Sequence, residues 1–407
     1  MSTLSFWHRL AHEPDLACDI AVVGGGVVGA SAAYWARKML PSTRVVLVEA
    51  HALAHGASGR NAGFILQGAA SDYATDVARH GPDRARRLWN LTRENRDLLT
   101  TELRSAAFGF EGSGSLVLAG TPAEDERLRA SVRLLRTDGF PAAYLPADEL
   151  ARRIHGRGFH GGLYVTTGGA VDPAALVRHL AAESGAHVLE HHAVTDVGRW
   201  GARFVLDTPA RRIVADRVIF ALNAYAPRLL PALGRFVRPV RAQMLATERM
   251  LPRWLFQPLY SHEGFFYLRQ TASGHLLLGG ARHLHEAAEV GYDDAATEPV
   301  QRSLEAYLHG HFPQTEHLKV ERRWSGTMGF SPDGLPVAGP VPDMAGAFFA
   351  CGFTGHGMAY GFRTGRMLAE YAHGIAHPLD ADLFAPARFG PARPEPAKVR
   401  PAPRALL

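Results

Sequence analysis

Apolar and polar positions follow three rhythms along the chain, and each rhythm marks a different kind of element. Cys18 to Val23 is a short, nearly continuous apolar run with β-branched residues, the pattern of a strand buried on both faces. Gly24-Gly-Gly-Val-Val-Gly29 and an alanine-rich stretch to Leu40 follow, and Pro41 stops that helix. A second β-branched run from Arg44 to Val48 closes with Glu49, which completes a strand, glycine turn, helix, strand unit. From Ser71 to Phe108 the spacing of Leu88, Leu91, Asn95, Leu98 and Leu99 at three- and four-residue steps predicts helix with a packing face.

Further on, a strand at Ser115 to Ala119 leads to a charged helix from Pro122 to Thr137, broken at Gly139, in a segment that reads as an insertion. Asp172 caps a helix that opens on Pro173 and runs to about Ser184. Strands are expected at His187 to Val194 and within Arg212 to Leu222, and a turn-rich piece at Ala224 to Leu233. Between Val240 and Gly280 strict alternation takes over, as in Phe265-Phe-Tyr-Leu-Arg269, and suits an antiparallel sheet over a binding site. A helix from Glu298 to His309, a strand at Phe348 to Phe353 and a final helix from Met358 to His373 complete the pattern. The fold class is α/β: a Rossmann-type domain built from residues 1–100, 155–235 and 320–385, and a mostly antiparallel-sheet substrate domain from 101–154 and 236–319.

Composition narrows the function classes. The apolar runs fall far short of the ~20 residues that cross a bilayer, and no signal-peptide pattern opens the chain, so no membrane span and a cytoplasmic location are expected. Formal charge is +5, of which the Pro/Ala/Arg-rich stretch from Ala385 to Leu407 carries +4. The body is near neutral, and residues 386–407 are expected to be a flexible basic tail. Aromatic residues are not interleaved with those charges, so a nucleic-acid partner is not expected. Cys18 and Cys351 stand in no metal or redox spacing, so neither a metal site nor a disulfide framework is expected.

The chemistry begins at the glycine turn. Gly24, Gly26 and Gly29 permit a tight turn, close approach of backbone to a pyrophosphate, and close packing of helix on strand, while the helix N-terminus faces the phosphates. Glu49, twenty residues after Gly29, is placed to hold a ribose hydroxyl pair. This signature alone does not separate NAD from FAD.

The remaining motifs do. Gly56-Ala-Ser-Gly-Arg-Asn-Ala-Gly63 resembles the loop after the second strand in the FAD-dependent D-amino-acid oxidase and glycine or sarcosine oxidase superfamily. Gly162-Leu-Tyr with Val171-Asp-Pro-Ala174, Val218-Ile-Phe-Ala-Leu-Asn-Ala224, Trp324-Ser-Gly326 with Asp333-Gly-Leu-Pro336, and Cys351-Gly-Phe-Thr-Gly-His-Gly-Met358 follow in the family's order, from about Ser5 to Glu370. The loop is most similar to the gamma-glutamylputrescine oxidase branch.

The resemblance implies an FAD-dependent oxidoreductase that takes a hydride from the carbon of a C–N bond in a small amine or amino acid, giving an imine that water hydrolyses. Cofactor contacts are expected at Gly24, Gly26, Val27, Val28, Gly29, Glu49, Ala50, Ser58, Arg60, Asn61, Ala62, Val194, Asn223, Gly355, His356, Gly357 and Met358. The start of the final helix suits the negative charge that develops on the flavin's pyrimidine ring. Relatives with covalent flavin carry Cys or His where Gly326 or Thr327 and Arg60 stand here, so FAD is expected to be non-covalent.

Departures from the family bear on substrate. Met328 and Gly355 occupy the places of the usual carboxylate-clamping arginines, and Ala359 and Leu277 those of lysines credited with oxygen reactivity. Arg269, Arg282 and Tyr267 are the alternative substrate contacts, each equally open to a structural role, and His356 is open to acid–base work or to capping. Oxygen or another electron acceptor remains open, as does an amino-acid dehydrogenase. Rival readings are a nicotinamide-dependent dehydrogenase, a tRNA wobble-uridine-modifying flavoprotein, and a flavin-bearing subunit of an electron-transfer complex.

Overall fold

The computed structural model describes residues 13–68 and 72–390. The Leu16–Val23 strand pairs in parallel with Val45–Val48 on one side and with Arg212–Phe220 on the other. His187–Leu189 extends the sheet beyond Val45–Val48, and Ala347–Cys351 extends it beyond Arg212–Phe220. These parallel strands are apolar on both faces because helices cover one face and a second apolar cluster the other. The helices Val27–Met39 and Gly357–Ala372 cross closely enough that a Cβ on Gly361 would meet Val27 Cγ1 at 2.8 Å.

The second sheet has eight strands in the order Val320–Phe330, Arg238–Arg249, His275–Gly280, Phe266–Gln270, Leu259–Ser261, Ser115–Leu118, Gly161–Val165 and Ala142–Pro146. All its pairs are antiparallel except Leu259–Ser261 with Ser115–Leu118. The Ser115–Thr137 segment therefore belongs to this sheet and its flanking helix. Gly161–Val165 and Val320–Phe330, expected on the Rossmann side, hydrogen-bond into the second sheet instead. Neither strand's own residues specify which sheet edge it meets.

Local signals place several helix ends. Thr121 and Asp172 each accept a backbone N–H at the start of helices Pro122–Thr137 and Pro173–Ser184, as capping predicts. The expected helix from Ser71 is two helices, Tyr73–His80 and Pro82–Glu102, divided at Gly81 with φ of 81°; Ser71 itself lies outside the described residues. The strand expected to reach Val194 stops at Leu189, and the chain turns at His191 with φ of 60°.

Part of the expected tail is structured. Pro386–Phe389 forms a 3-10 turn, Arg388 pairs with Asp333 at 2.8 Å, and the Phe389 ring packs on Phe236. A cation held by a buried-edge carboxylate and an aromatic ring with a partner explain why this stretch docks despite its composition. Residues 391–407, with the remaining basic residues, lie outside the described residues. Among the described residues no helix is long and apolar enough to cross a membrane, and no group of His, Cys, Asp and Glu could hold a metal ion.

Candidate functional site: a glycine turn and a cleft between two sheets

All the chemistry-bearing turns leave the C-terminal edge of the parallel sheet, the edge at which open α/β sheets bind ligands. Gly24 follows the first strand with φ of 109°, and its N–H donates to Val48 O at 2.8 Å. A Cβ on Gly29 would lie 1.8 Å from Gly24 O, and one on Gly26 would lie 2.8 Å from Ser58 Oγ. Gly26 gives the Val27–Met39 helix no side-chain cap; the Val27 N–H donates to Ser58 Oγ at 2.9 Å. An uncapped helix start over a cradle with no room for a side chain fits a diphosphate.

Glu49 stands where the ribose-binding carboxylate was expected, followed by Ala50, and it also braces the turn. One oxygen accepts from the Gly25 N–H at 2.7 Å and the other from the His51 N–H at 2.9 Å. The backbone of His192 donates to Glu49 O, so the segment carrying Val194 runs beside this carboxylate, with Val194 half-buried on the sheet's second apolar cluster.

Other expected cofactor residues act as braces. Asn61 donates to the carbonyls of Ala57 and Ser58 and accepts from the Gly63 N–H at 2.6 Å, which closes its own loop. Asn223, with φ of 44°, accepts from the Gly352 N–H at 3.0 Å and joins two turns of the same edge. Arg60 donates to Asp294 at 2.6 Å and to the carbonyls of Ser325 and His55.

A cleft of about 540 Å³ opens between this edge and the second sheet. Asn61, Ala62 and Phe64 form one wall, Tyr260, Tyr267 and Arg282 another, and Met328, Phe330, Gly355, His356 and Met358 the floor. The structure thus brings His356, Tyr267 and Arg282 together.

Arg269 is not among the residues lining the cleft. It shares a strand face with Tyr267, as a two-residue period requires, but its guanidinium donates to Val171 O at 2.7 Å and Ala62 O at 3.1 Å and is buried there. In place of the expected substrate contact the structure shows a structural one outside the cleft lining: both N–H groups of Nη1 go to backbone carbonyls.

Tyr260 was missed. It sits opposite Tyr267 in the register of a three-residue strand, too short for periodicity to reveal, with ring centroids 6.1 Å apart. Met328 and Phe330 were also missed as a pair; they share one face of the Val320–Phe330 strand, a two-residue spacing visible once the strand is known.

Each polar group in the cleft has a distinct electrostatic state. Arg282 lies over the rings of Phe330 and Phe265, 4.7 Å and 5.3 Å from their centroids, with no carboxylate bonded to it among the described residues. Burial lowers its pKa from the usual 12.5, yet a guanidinium stays charged. His356 Nδ1 faces Thr354 O at 3.2 Å, so that nitrogen carries the proton and Nε2 is the acceptor. Nε2 is buried without a partner, and burial holds the imidazole below its ordinary 6.5, hence neutral. Burial likewise pushes Tyr267 up to about 12 and raises Tyr260, so both phenols keep their protons. Cys18 and Cys351 are free and buried within the parallel sheet.

A family model described as "FAD dependent oxidoreductase", DAO, matches residues 19–371. The chain is 28% identical to gamma-glutamylputrescine oxidoreductase of Escherichia coli over 380 residues, covering 90% of this chain and 86% of that one. It is 28% identical to a glycine oxidase of Geobacillus kaustophilus over 368 residues, 86% of this chain and 92% of that one. Among solved structures, L-proline dehydrogenase from P. horikoshii superposes with a TM-score of 0.80 at 22% identity, covering 94% of this chain and 100% of that one. Iminodiacetate oxidase from Chelativorans sp. gives 0.75 at 20% identity, covering 90% and 98%. At these identities the two superpositions speak for the fold.

Proposed function

The chain belongs to the DAO family of FAD-dependent oxidoreductases and its cofactor is FAD; on that basis we propose that it oxidises the C–N bond of a small amine that carries a carboxylate. The observation that carries this reading is the meeting, in one cleft, of a half-buried guanidinium with no bonded carboxylate and a neutral imidazole with an unpartnered acceptor nitrogen, both judged among the described residues. Named activities of the curated relatives, on an amino acid and on a glutamylated polyamine, share a carboxylate and an oxidisable C–N bond.

When bound, FAD supplies the hydride acceptor. The chain's own residues do the rest. The Gly24–Gly29 turn and the uncapped helix start would hold the diphosphate, and Glu49 the ribose hydroxyls. Arg282 receives the substrate carboxylate, because a desolvated guanidinium gains most from a fork-like partner. His356 Nε2 accepts a hydrogen bond from the substrate nitrogen and takes its proton when the amine arrives as ammonium. The N-terminus of the Gly357–Ala372 helix places a positive dipole end at the same floor. Tyr260 and Tyr267 wall the cleft against water, and the imine product is hydrolysed by water.

Both cysteines are buried in the parallel sheet, which supports a non-covalent cofactor. Ala359 is buried in the Gly357–Ala372 helix and among the described residues no lysine lines the cleft, which favours slow reaction with oxygen and transfer to another acceptor. The test is anaerobic loss of the yellow flavin absorbance against a panel of amines, N-methyl amino acids, and D- and L-amino acids. Bleaching is expected with members that pair a carboxylate with the amine; bleaching only by amines without a carboxylate overturns the assignment.

A further inference from the structure

We propose that residues 286–297 form a latch over the cofactor loops, in which the Asp294–Arg60 ion pair controls how long FAD is retained. Both ends of this segment are anchored to the Arg238–Arg249 strand. Glu289 accepts from Arg241 at 2.7 Å and from Gln243 at 3.0 Å, and the Thr297 N–H donates to Gln243 Oε1 at 2.8 Å. Beyond Val290, which still bridges to Val240, the segment leaves that strand and reaches two turns of the other sheet. Tyr292 donates its hydroxyl to Ala224 O at 2.9 Å, in the turn after Arg212–Phe220. Asp294 accepts from Arg60 at 2.6 Å and from Ser325 Oγ at 2.9 Å.

Arg60 is two residues from Ser58, whose hydroxyl meets the first N–H of the phosphate-facing helix. Outward movement of the 56–61 loop, the movement that uncovers the glycine turn, therefore breaks the Asp294–Arg60 pair. The anchors and the latch differ in exposure: Glu289 is 1% exposed, whereas the Asp294 side chain is 58% exposed. A buried ion pair with added hydrogen bonds is costly to open, while a half-solvated one opens readily and is screened by salt. The middle of the segment is thus the part that yields. This role is one of positioning, acts through Arg60, and holds whichever amine is the substrate.

The test follows release of FAD from the diluted holoenzyme as the rise of free-flavin fluorescence. Asp294→Asn is expected to release FAD about threefold to fivefold faster at low salt, the range of an exposed ion pair. That difference should shrink in ~1 M NaCl, where screening removes the pair. The double variant Asp294→Asn with Arg60→Gln should release FAD no faster than Arg60→Gln alone. Thermal unfolding of apoprotein and holoenzyme separates this from general destabilisation: the Tm of the holoenzyme falls by more than that of the apoprotein. Unchanged release, additive effects of the two substitutions, or equal Tm losses with and without FAD would each overturn the proposal. Because the readout is the flavin alone, its failure leaves the substrate assignment standing.

Discussion

Gly365 and Ser31 meet where the terminal helix crosses the helix of the glycine turn, so closely that a Cβ on Gly365 would lie 2.4 Å from Ser31 Cβ and 2.8 Å from Ala32 N. The second neighbour is backbone and cannot rotate aside. Gly365→Ala should therefore push the helices apart and cost about 1–3 kcal/mol, as overpacking does. Thermal unfolding should show a Tm lowered by a few degrees; an unchanged Tm would mean that the crossing is looser than described.

At Gly29 the obstacle is Gly24 O, 1.8 Å from where an alanine methyl would sit. Gly29→Ala cannot be accommodated without moving the strand end or the helix start, which together form the proposed phosphate cradle. The variant should purify with little or no yellow colour, measured as the ratio of flavin to protein absorbance. A full complement of flavin counts against the proposed placement of the diphosphate at this turn.

Removing the guanidinium at Arg282 should weaken carboxylate-bearing substrates selectively. Charge-assisted hydrogen bonds are worth about 1.5–3 kcal/mol, so Arg282→Ala should raise the apparent Kd in anaerobic flavin titrations by about ten- to hundredfold. Amines lacking a carboxylate should be affected little. Equal weakening of both classes would assign Arg282 to packing on Phe265 and Phe330.

The pH dependence of flavin reduction follows from His356. Its folded pKa lies below 6.5 because burial disfavours the imidazolium, and only the neutral ring can accept a proton. The rate should therefore fall as pH drops through a value below 6.5, and His356→Ala should lose that acid limb. A limb that persists in the variant belongs to another group.

Several helix and strand boundaries were legible from a local cause, although the break at Gly81 was not. Thr121 before Pro122 and Asp172 before Pro173 cap their helices by contacts within three residues, and the Gly24–Gly29 turn announces itself between two β-branched strands. Tyr260 and the pairing of Gly161–Val165 with Ser115–Leu118 were not legible, since each depends on a partner far along the chain.

By itself the sequence determined the dinucleotide turn, the carboxylate at Glu49 and the glycine-flanked His356, because steric and capping rules act over a few residues. Only the tertiary structure decided between Arg269 and Arg282. Both carry the same charge near the same strands, and what separates them is that the carbonyls of Val171 and Ala62 hold one guanidinium outside the cleft while the other lies over two aromatic faces in the cleft's lining.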